Sequence, residues 1–119
     1  MDLELFKVSS SATVLDAASK IEKNRVRCVF VVDGEKVIGV CSQGDIIRML
    51  LQGGSEFTPI EKVLKTSFMY LHKKDWKKAF ELIKQYGITV IPIVDEEFRL
   101  VDLITLSMIL DRMSFNDKV

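Results

Sequence analysis

A chain of 119 residues with 48% hydrophobic and 29% charged side chains has the balance of an ordinary globular protein and can bury one shared core. Seventeen basic and seventeen acidic residues cancel, so the cationic surplus that draws a protein to nucleic acid or to an anionic membrane is missing, and neither is expected as a partner. No apolar run approaches the roughly 20 residues that span a bilayer, and the start MDLELFKV lacks the charged and apolar regions of a signal peptide, so a cytoplasmic location is expected.

In chain order, Phe6 to Val8 reads as a short extended segment. Val14, Ala17, Ala18 and Ile21 follow at the i, i+3, i+4, i+7 spacing of an amphipathic helix. Val26 to Asp33 is a β-branched run ending at aspartate, Asp33-Gly34 is a hairpin turn signal, and Val37 to Cys41 is a second strand expected to pair antiparallel with the first. Ser42-Gln43-Gly44-Asp45 then opens a helix through Ile46 and Ile47. Gly53-Gly54-Ser55 marks a break, and Thr58-Pro59-Ile60-Glu61 has the form of a capping box with proline at the first helical position, predicting a short linker helix. Beyond it, Phe68 to Leu71 is extended, Trp76, Ala79, Phe80 and Ile83 repeat the helical stripe, Ile88 to Asp95 and Leu100 to Ile104 are strands, and Ile109-Leu110 lie on a last helix. Cys28 and Cys41 sit inside the first pair of strands, where reduced, buried thiols facing one another across the hairpin fit better than a disulfide framework.

The second half of this inventory repeats the first. A shift of about 62 positions lays Val14, Ala17, Ala18 and Ile21 over Trp76, Ala79, Phe80 and Ile83, and Val26 to Asp33 over Ile88 to Asp95; after one inserted residue, Val37 to Cys41 lies over Leu100 to Ile104. The expectation is an α/β (α+β) fold of two tandem β-α-β-β-α units with pseudo-two-fold symmetry and sheets face to face, residues 1–54 forming the first repeat and 55–119 the linker helix and second repeat. A single unit could hardly cover both faces of its own sheet, so the two should share a core.

The signature of helix, apolar strand ending in Val-Asp, second strand with Ile-Gly-Val and Ser-x-x-Asp opening a helix resembles the CBS (cystathionine β-synthase) domain. ITVIPIVD at Ile88 to Asp95 is similar to the family's most recognisable strand, and IGVCSQGD at Ile38 to Asp45 to its second strand and ligand-binding turn. Two copies in order resemble a CBS pair, or Bateman module, over nearly the whole chain. SQGDIIRMLLQG, from Ser42 to Gly53, further resembles the regulatory pairs that stand in front of sugar-phosphate nucleotidyltransferase domains, which would begin near Phe115 to Val119. The resemblance implies a non-enzymatic regulatory module, a homodimer, and an adenosine-containing ligand (AMP, ADP, ATP or S-adenosylmethionine) bound in clefts between the units, with no cofactor required.

The residues supply a physical route to such binding. At Ser42 to Asp45 a strand runs into a helix start, whose N–H groups and dipole favour phosphate; the Ser42 hydroxyl is a further donor, Asp45 can accept two ribose hydroxyls, and Gly44 lets a ligand approach the backbone. The same Ser-x-x-Asp is also what a local helix cap requires, with no ligand at all. In the second copy Thr105 keeps the hydroxyl, but Met108 stands in place of the aspartate, so that side is expected to be weak or empty. Arg27 and Lys73 are candidate phosphate partners, and Val8, Phe68, Tyr70, Ile91 and Pro92 candidate lining for a base, against the alternatives of solvated charge and core packing. His72 is the one histidine; without an acidic or cysteine cluster at ligand spacing, no metal site is expected, and no acid–base pair or activated nucleophile points to catalysis. Asp102, which replaces the residue matching Gly39, has no account at this level. The alternative function is a dimerisation or interaction module with no bound ligand.

Overall fold

The computed structural model describes residues 2–117, which divide into two compact units between Phe68 and Met69. Lys118 and Val119, the end of the stretch expected to lead into a catalytic domain, lie outside the described residues.

In the first unit a 3₁₀ turn at Leu3–Phe6 leads into β1 (Lys7–Ser9), followed by α1 (Val14–Asn24), β2 (Cys28–Asp33), β3 (Lys36–Ser42) and α2 (Gln43–Leu51). The sheet has the order β1-β2-β3, with β1 parallel and β3 antiparallel to β2. A parallel pair needs a crossover, and α1 supplies it. The two-residue turn Gly34-Glu35 closes the hairpin, with Gly34 at φ 64, as Asp33-Gly34 led one to expect. The run Val29 to Val32 is buried throughout, and Val8, Val14, Ala17, Val29, Val31, Cys41 and Ile60 form the core under α1.

The register pairs Cys28 with Ser42 and Val29 with Cys41. The thiols are therefore offset by one position, not opposed, and alternation of side chains along a strand places them on different faces of the sheet. Both are free cysteines.

The second unit carries α3 (Trp76–Tyr86), β4 (Val90–Val94), β5 (Leu100–Thr105) and α4 (Leu106–Asp117). β4 and β5 are antiparallel, and the extended segment before α3 contributes one parallel bridge, Leu71 to Ile93. Ala79, Ile83, Ile91, Ile93, Ile104 and Ile109 form its core.

The repeat survives to single hydrogen bonds. α1 and α3 each have 11 residues and end on a left-handed residue, Arg25 or Gly87, both at φ 64, whose N–H donates to the Ile21 or Ile83 carbonyl. The hairpin of each unit shifts register at the same place, between Val31 and Val32 and between Ile93 and Val94. The Gln43 N–H donates to the Arg27 carbonyl at 2.8 Å and the Leu106 N–H to the Thr89 carbonyl at 2.9 Å, positions that match across the one-residue insertion.

The segment after Gly54 departs from expectation. Thr58 to Glu61 do not form a capping box: Pro59 precedes a three-residue 3₁₀ turn, Ile60–Lys62, with no side-chain cap, and the Thr58 hydroxyl accepts the Ser55 N–H instead. These residues pack on the first unit. Leu15 and Val14 N–H groups donate to the Glu56 and Thr58 carbonyls, Ile60 donates to Ala12, and Ile60 is completely buried. Farther on, Val40 and Lys65 exchange both backbone hydrogen bonds, at 2.9 and 2.8 Å, so the segment lies along the free edge of β3. Gly39 permits this approach: a Cβ there would stand 2.3 Å from Leu64 Cδ1 and 2.7 Å from the Lys65 carbonyl oxygen. Asp102, its counterpart, forms a 3.2 Å ion pair with Lys74.

Candidate functional site

β3 delivers Ser42 to the start of α2 in extended conformation, and the segment Ser42 to Asp45 closes a complete capping box. The Ser42 hydroxyl accepts the Asp45 N–H at 3.1 Å and donates to Asp45 Oδ2 at 2.8 Å, while the Ser42 N–H donates to the same oxygen at 2.9 Å. The cap reading of Ser-x-x-Asp is thus realised in full, and the Ser42 hydroxyl is committed inside it. With the Gln43 N–H given to Arg27 and the Asp45 N–H to Ser42, two amides of the first turn are already engaged.

Capping alone does not account for what surrounds the carboxylate. The Asp45 side chain is only 5% exposed, and its other oxygen, Oδ1, faces two cations, Arg48 Nη2 at 2.6 Å and Lys65 Nζ at 3.4 Å. Burial works against the charge, and the hydrogen bonds from Ser42 and Arg48 with the Lys65 ammonium outweigh it, so the carboxyl is held below its ordinary range. The unit contains its own control. Thr13 and Asp16 build the same capping box at the start of α1, with the Thr13 N–H on Asp16 at 2.9 Å, yet Asp16 is exposed.

Arg27 is exposed, at φ 69, with its carbonyl on the first amide of α2, which brings its backbone to the Asp45 end of the sheet. A Cβ on Gly44 would meet nothing nearer than the Arg48 guanidinium at 3.5 Å, so the fold itself does not demand glycine there. The thiols are close to the same charge. Burial pushes Cys28 and Cys41 up to about 12, helped by the Asp45 carboxylate.

Val8 lies in the buried cluster that also holds Cys41. It is buried in the core on β1, opposite Val31, a strand away from β3 and three positions along β2 from Cys28. Its accessible side borders an open groove of about 500 Å³, lined also by Lys7, Ser9, Asp16, Lys20 and Val32. Phe68 is half-buried at the end of the first unit.

The other sequence candidates lie in the second unit. Thr105 is buried and its hydroxyl accepts the Met108 N–H at 3.1 Å, the cap without the carboxylate. Ile91 and Pro92 are buried in β4. Lys73 is exposed just ahead of α3. Tyr70 belongs to an aromatic cluster, edge-on to Phe98 at 4.7 Å and to His72 at 5.5 Å between ring centroids. The His72 Nδ1 pairs with the Val94 carbonyl at 2.9 Å, and Phe98 is held at φ 65 in a turn organised by the Asp95 carboxylate, which accepts the Glu97 and Arg99 amides. Among the described residues no three His, Cys, Asp or Glu side chains gather as metal ligands, and no helix is long and apolar enough to cross a membrane.

Sequence reading missed Arg48 and Lys65. Arg48 was legible, three residues after Asp45 on one helix face. Lys65 was not, because only the folded linker brings it to Asp45.

Two successive α+β units, each with a hydroxyl-capped helix leading out of its last strand, define a tandem-repeat module. A family model described as CBS domain matches residues 1–52 and 72–114, and the chain belongs to that family as a tandem pair. Arabinose 5-phosphate isomerase GutQ of Shigella flexneri is 30% identical over 102 residues, which cover 84% of this chain and 32% of that protein, so the chain spans about a third of the length of this relative. The cytosolic domain of the Mg²⁺ channel MgtE in complex with ATP is similar at a TM-score of 0.75 and 26% identity, over 94% of this chain and 46% of that one. The CBS domain protein PAE2072 from Pyrobaculum aerophilum, complexed with AMP, shares the fold at a TM-score of 0.72 and 19% identity, over 94% of this chain and 97% of that one.

Proposed function

We propose that the chain is a regulatory module that senses an adenine nucleotide or related adenosyl ligand at the Asp45 side, one per chain. The observation that carries this reading is the contrast between two capping boxes in one unit. Asp16 caps α1 from an exposed position, whereas Asp45 performs the same cap while buried and faced by Arg48 and Lys65. A cap needs neither burial nor cations; a buried carboxylate kept charged makes strong hydrogen bonds to ribose hydroxyls, and the Arg48 guanidinium beside it offers a cation to a neighbouring phosphate. Two relatives of the fold carry ATP and AMP in their solved structures, which supports the ligand class. Met108 in place of a second aspartate supports a single site.

Thermal shift against AMP, ADP, ATP and S-adenosylmethionine tests the class, since a ligand at a hundredfold excess over Kd stabilises by about 2.7 kcal/mol. Calorimetric titration then tests the place. Asp45→Ala should weaken binding at least tenfold, about 1.5–3 kcal/mol, while Thr105→Ala leaves it nearly unchanged. The reverse pattern would put the ligand at the other side and leave Ser42 and Asp45 as a helix cap.

The wider assignment has three parts. The module acts in the cytoplasm. It regulates a sugar-phosphate enzyme, either an attached nucleotidyltransferase domain, from the resemblance at Ser42 to Gly53, or an isomerase of the kind GutQ is named for. It forms a homodimer through α2 and α4, which expose Ile47, Leu50, Leu51, Leu110 and Met113, with Leu51 at 82%. Light scattering that gives a monomer at tens of micromolar overturns the last. The ligand-free interaction module remains the second reading, favoured by the fact that the Asp45 carboxylate already has three hydrogen bonds and an ion pair within the chain.

A further inference from the structure

A carboxylate offers about four acceptor positions; at Asp45 three are taken by hydrogen bonds, Oδ2 by the Ser42 N–H and hydroxyl and Oδ1 by Arg48, and the Lys65 ammonium faces Oδ1 as an ion pair. A ligand hydroxyl that takes the remaining position on Oδ1 competes with the Lys65 ammonium for the same charge. Ser42 is held by the cap itself, in two bonds of 2.8 and 2.9 Å, and Arg48 comes from the same helix at 2.6 Å. Lys65 is the weakest partner, at 3.4 Å, with a side chain 60% exposed. Of these partners it alone lies outside the continuous stretch from Ser42 to Arg48. Its backbone is paired with Val40 on the edge of β3, in the segment that leads on to the second unit at Met69.

We propose that Lys65 is a positioning residue that holds the Asp45 carboxylate and acts as a latch: a hydroxyl-bearing ligand displaces its ammonium and loosens the pairing of Lys65 with Val40 on β3. The ligand half of this rests on the nucleotide reading above; the link between Asp45 and the linker does not. Gly39 fits the role, because the absence of a Cβ lets the segment lie close enough for the ammonium to reach Oδ1. The device places the response to binding in the linker, where the chain passes from one unit to the next.

The test uses Lys65→Met, which keeps the apolar stem and removes the charge. With AMP and with adenosine as probes, calorimetry should show binding tightened roughly two- to fivefold, the range a half-exposed ion pair supports. Adenosine, which has no phosphate, separates removal of a competitor from loss of attraction to an anion. Amide exchange gives the second readout. The Val40 and Lys65 amides should exchange several-fold faster when AMP is added to the wild-type chain, and faster in Lys65→Met without any ligand. Weaker adenosine binding in Lys65→Met, or slower exchange of these amides on adding AMP, makes Lys65 a ligand contact and overturns the latch. Should neither AMP nor adenosine bind the wild type, the nucleotide reading fails, and Asp45→Asn in the free protein still decides the coupling: several-fold faster exchange at Lys65 is expected, and an unchanged rate overturns it.

Discussion

Gly39→Ala isolates the contact that brings the linker to the site. The added Cβ would sit 2.3 Å from Leu64 Cδ1, the movable end of a side chain, and 2.7 Å from the Lys65 carbonyl oxygen, which is backbone. The side chain can rotate away, but the carbonyl must retreat with its strand segment. The retreat costs the two hydrogen bonds between Val40 and Lys65, about 0.5–1.5 kcal/mol each. A gain of about 0.4–1 kcal/mol from stiffening the unfolded chain offsets part of this, and strain from overpacking adds about 1–3 kcal/mol. The expected net is about 2–4 kcal/mol of destabilisation, which at a urea dependence near 2 kcal/mol per molar lowers the unfolding midpoint by about 1–2 M. Asp102→Ala is the matched control. It removes only the Lys74 ion pair on a partly exposed surface, an interaction of about 0–1 kcal/mol. The assay is urea unfolding of the chain followed by circular dichroism, with amide exchange at Val40 and Lys65 reporting on the first unit, which has no tryptophan or tyrosine. A midpoint for Gly39→Ala within 0.3 M or so of wild type, with those two amides still protected, would refute the claim that glycine is required for the close approach.

Three further outcomes follow from the same structure. Arg25 and Gly87 hold the same left-handed position after α1 and α3, so Arg25→Gly should stabilise and Gly87→Ala destabilise, each by about 1 kcal/mol in thermal unfolding; a Cβ at Gly87 meets nothing within 4 Å, so its cost is conformational alone. Because the Asp45 carboxyl is held below its ordinary 3.8, the stability it contributes is complete above that pH and is lost as pH falls through the folded value; the gap between wild type and Asp45→Asn should therefore close in acid, and a gap independent of pH would contradict the ion pairs. With both thiols pushed up to about 12, Cys28 and Cys41 should resist iodoacetamide at neutral pH and react promptly once the chain is unfolded in urea, as mass spectrometry would show.

Much of the architecture was readable from spacing. The stripes at Val14 to Ile21 and Trp76 to Ile83 lie on α1 and α3, the β-branched runs became β2 and β4, and Asp33-Gly34 made its turn, because each signal is local: a periodicity or a dihedral preference acts on neighbours in the chain. The capping box at Ser42 and Asp45 was legible for the same reason. The box expected at Thr58 to Glu61 did not form, since the Thr58 hydroxyl and N–H are both used in a turn with Ser55 and the Ile60 N–H goes to the Ala12 carbonyl.

By itself, then, the sequence determined the duplicated units, their element order and the polar group at the head of α2. Only the tertiary structure decided that residues 55–68 belong with the first unit, that Cys28 and Cys41 are offset, and that Lys65 faces the Asp45 carboxylate. Each of these depends on pairings between residues far apart in the chain. The Val40–Lys65 exchange leaves no period in either segment, and its one trace in the sequence is a glycine at 39 whose reason appears only when Leu64 and Lys65 lie across it.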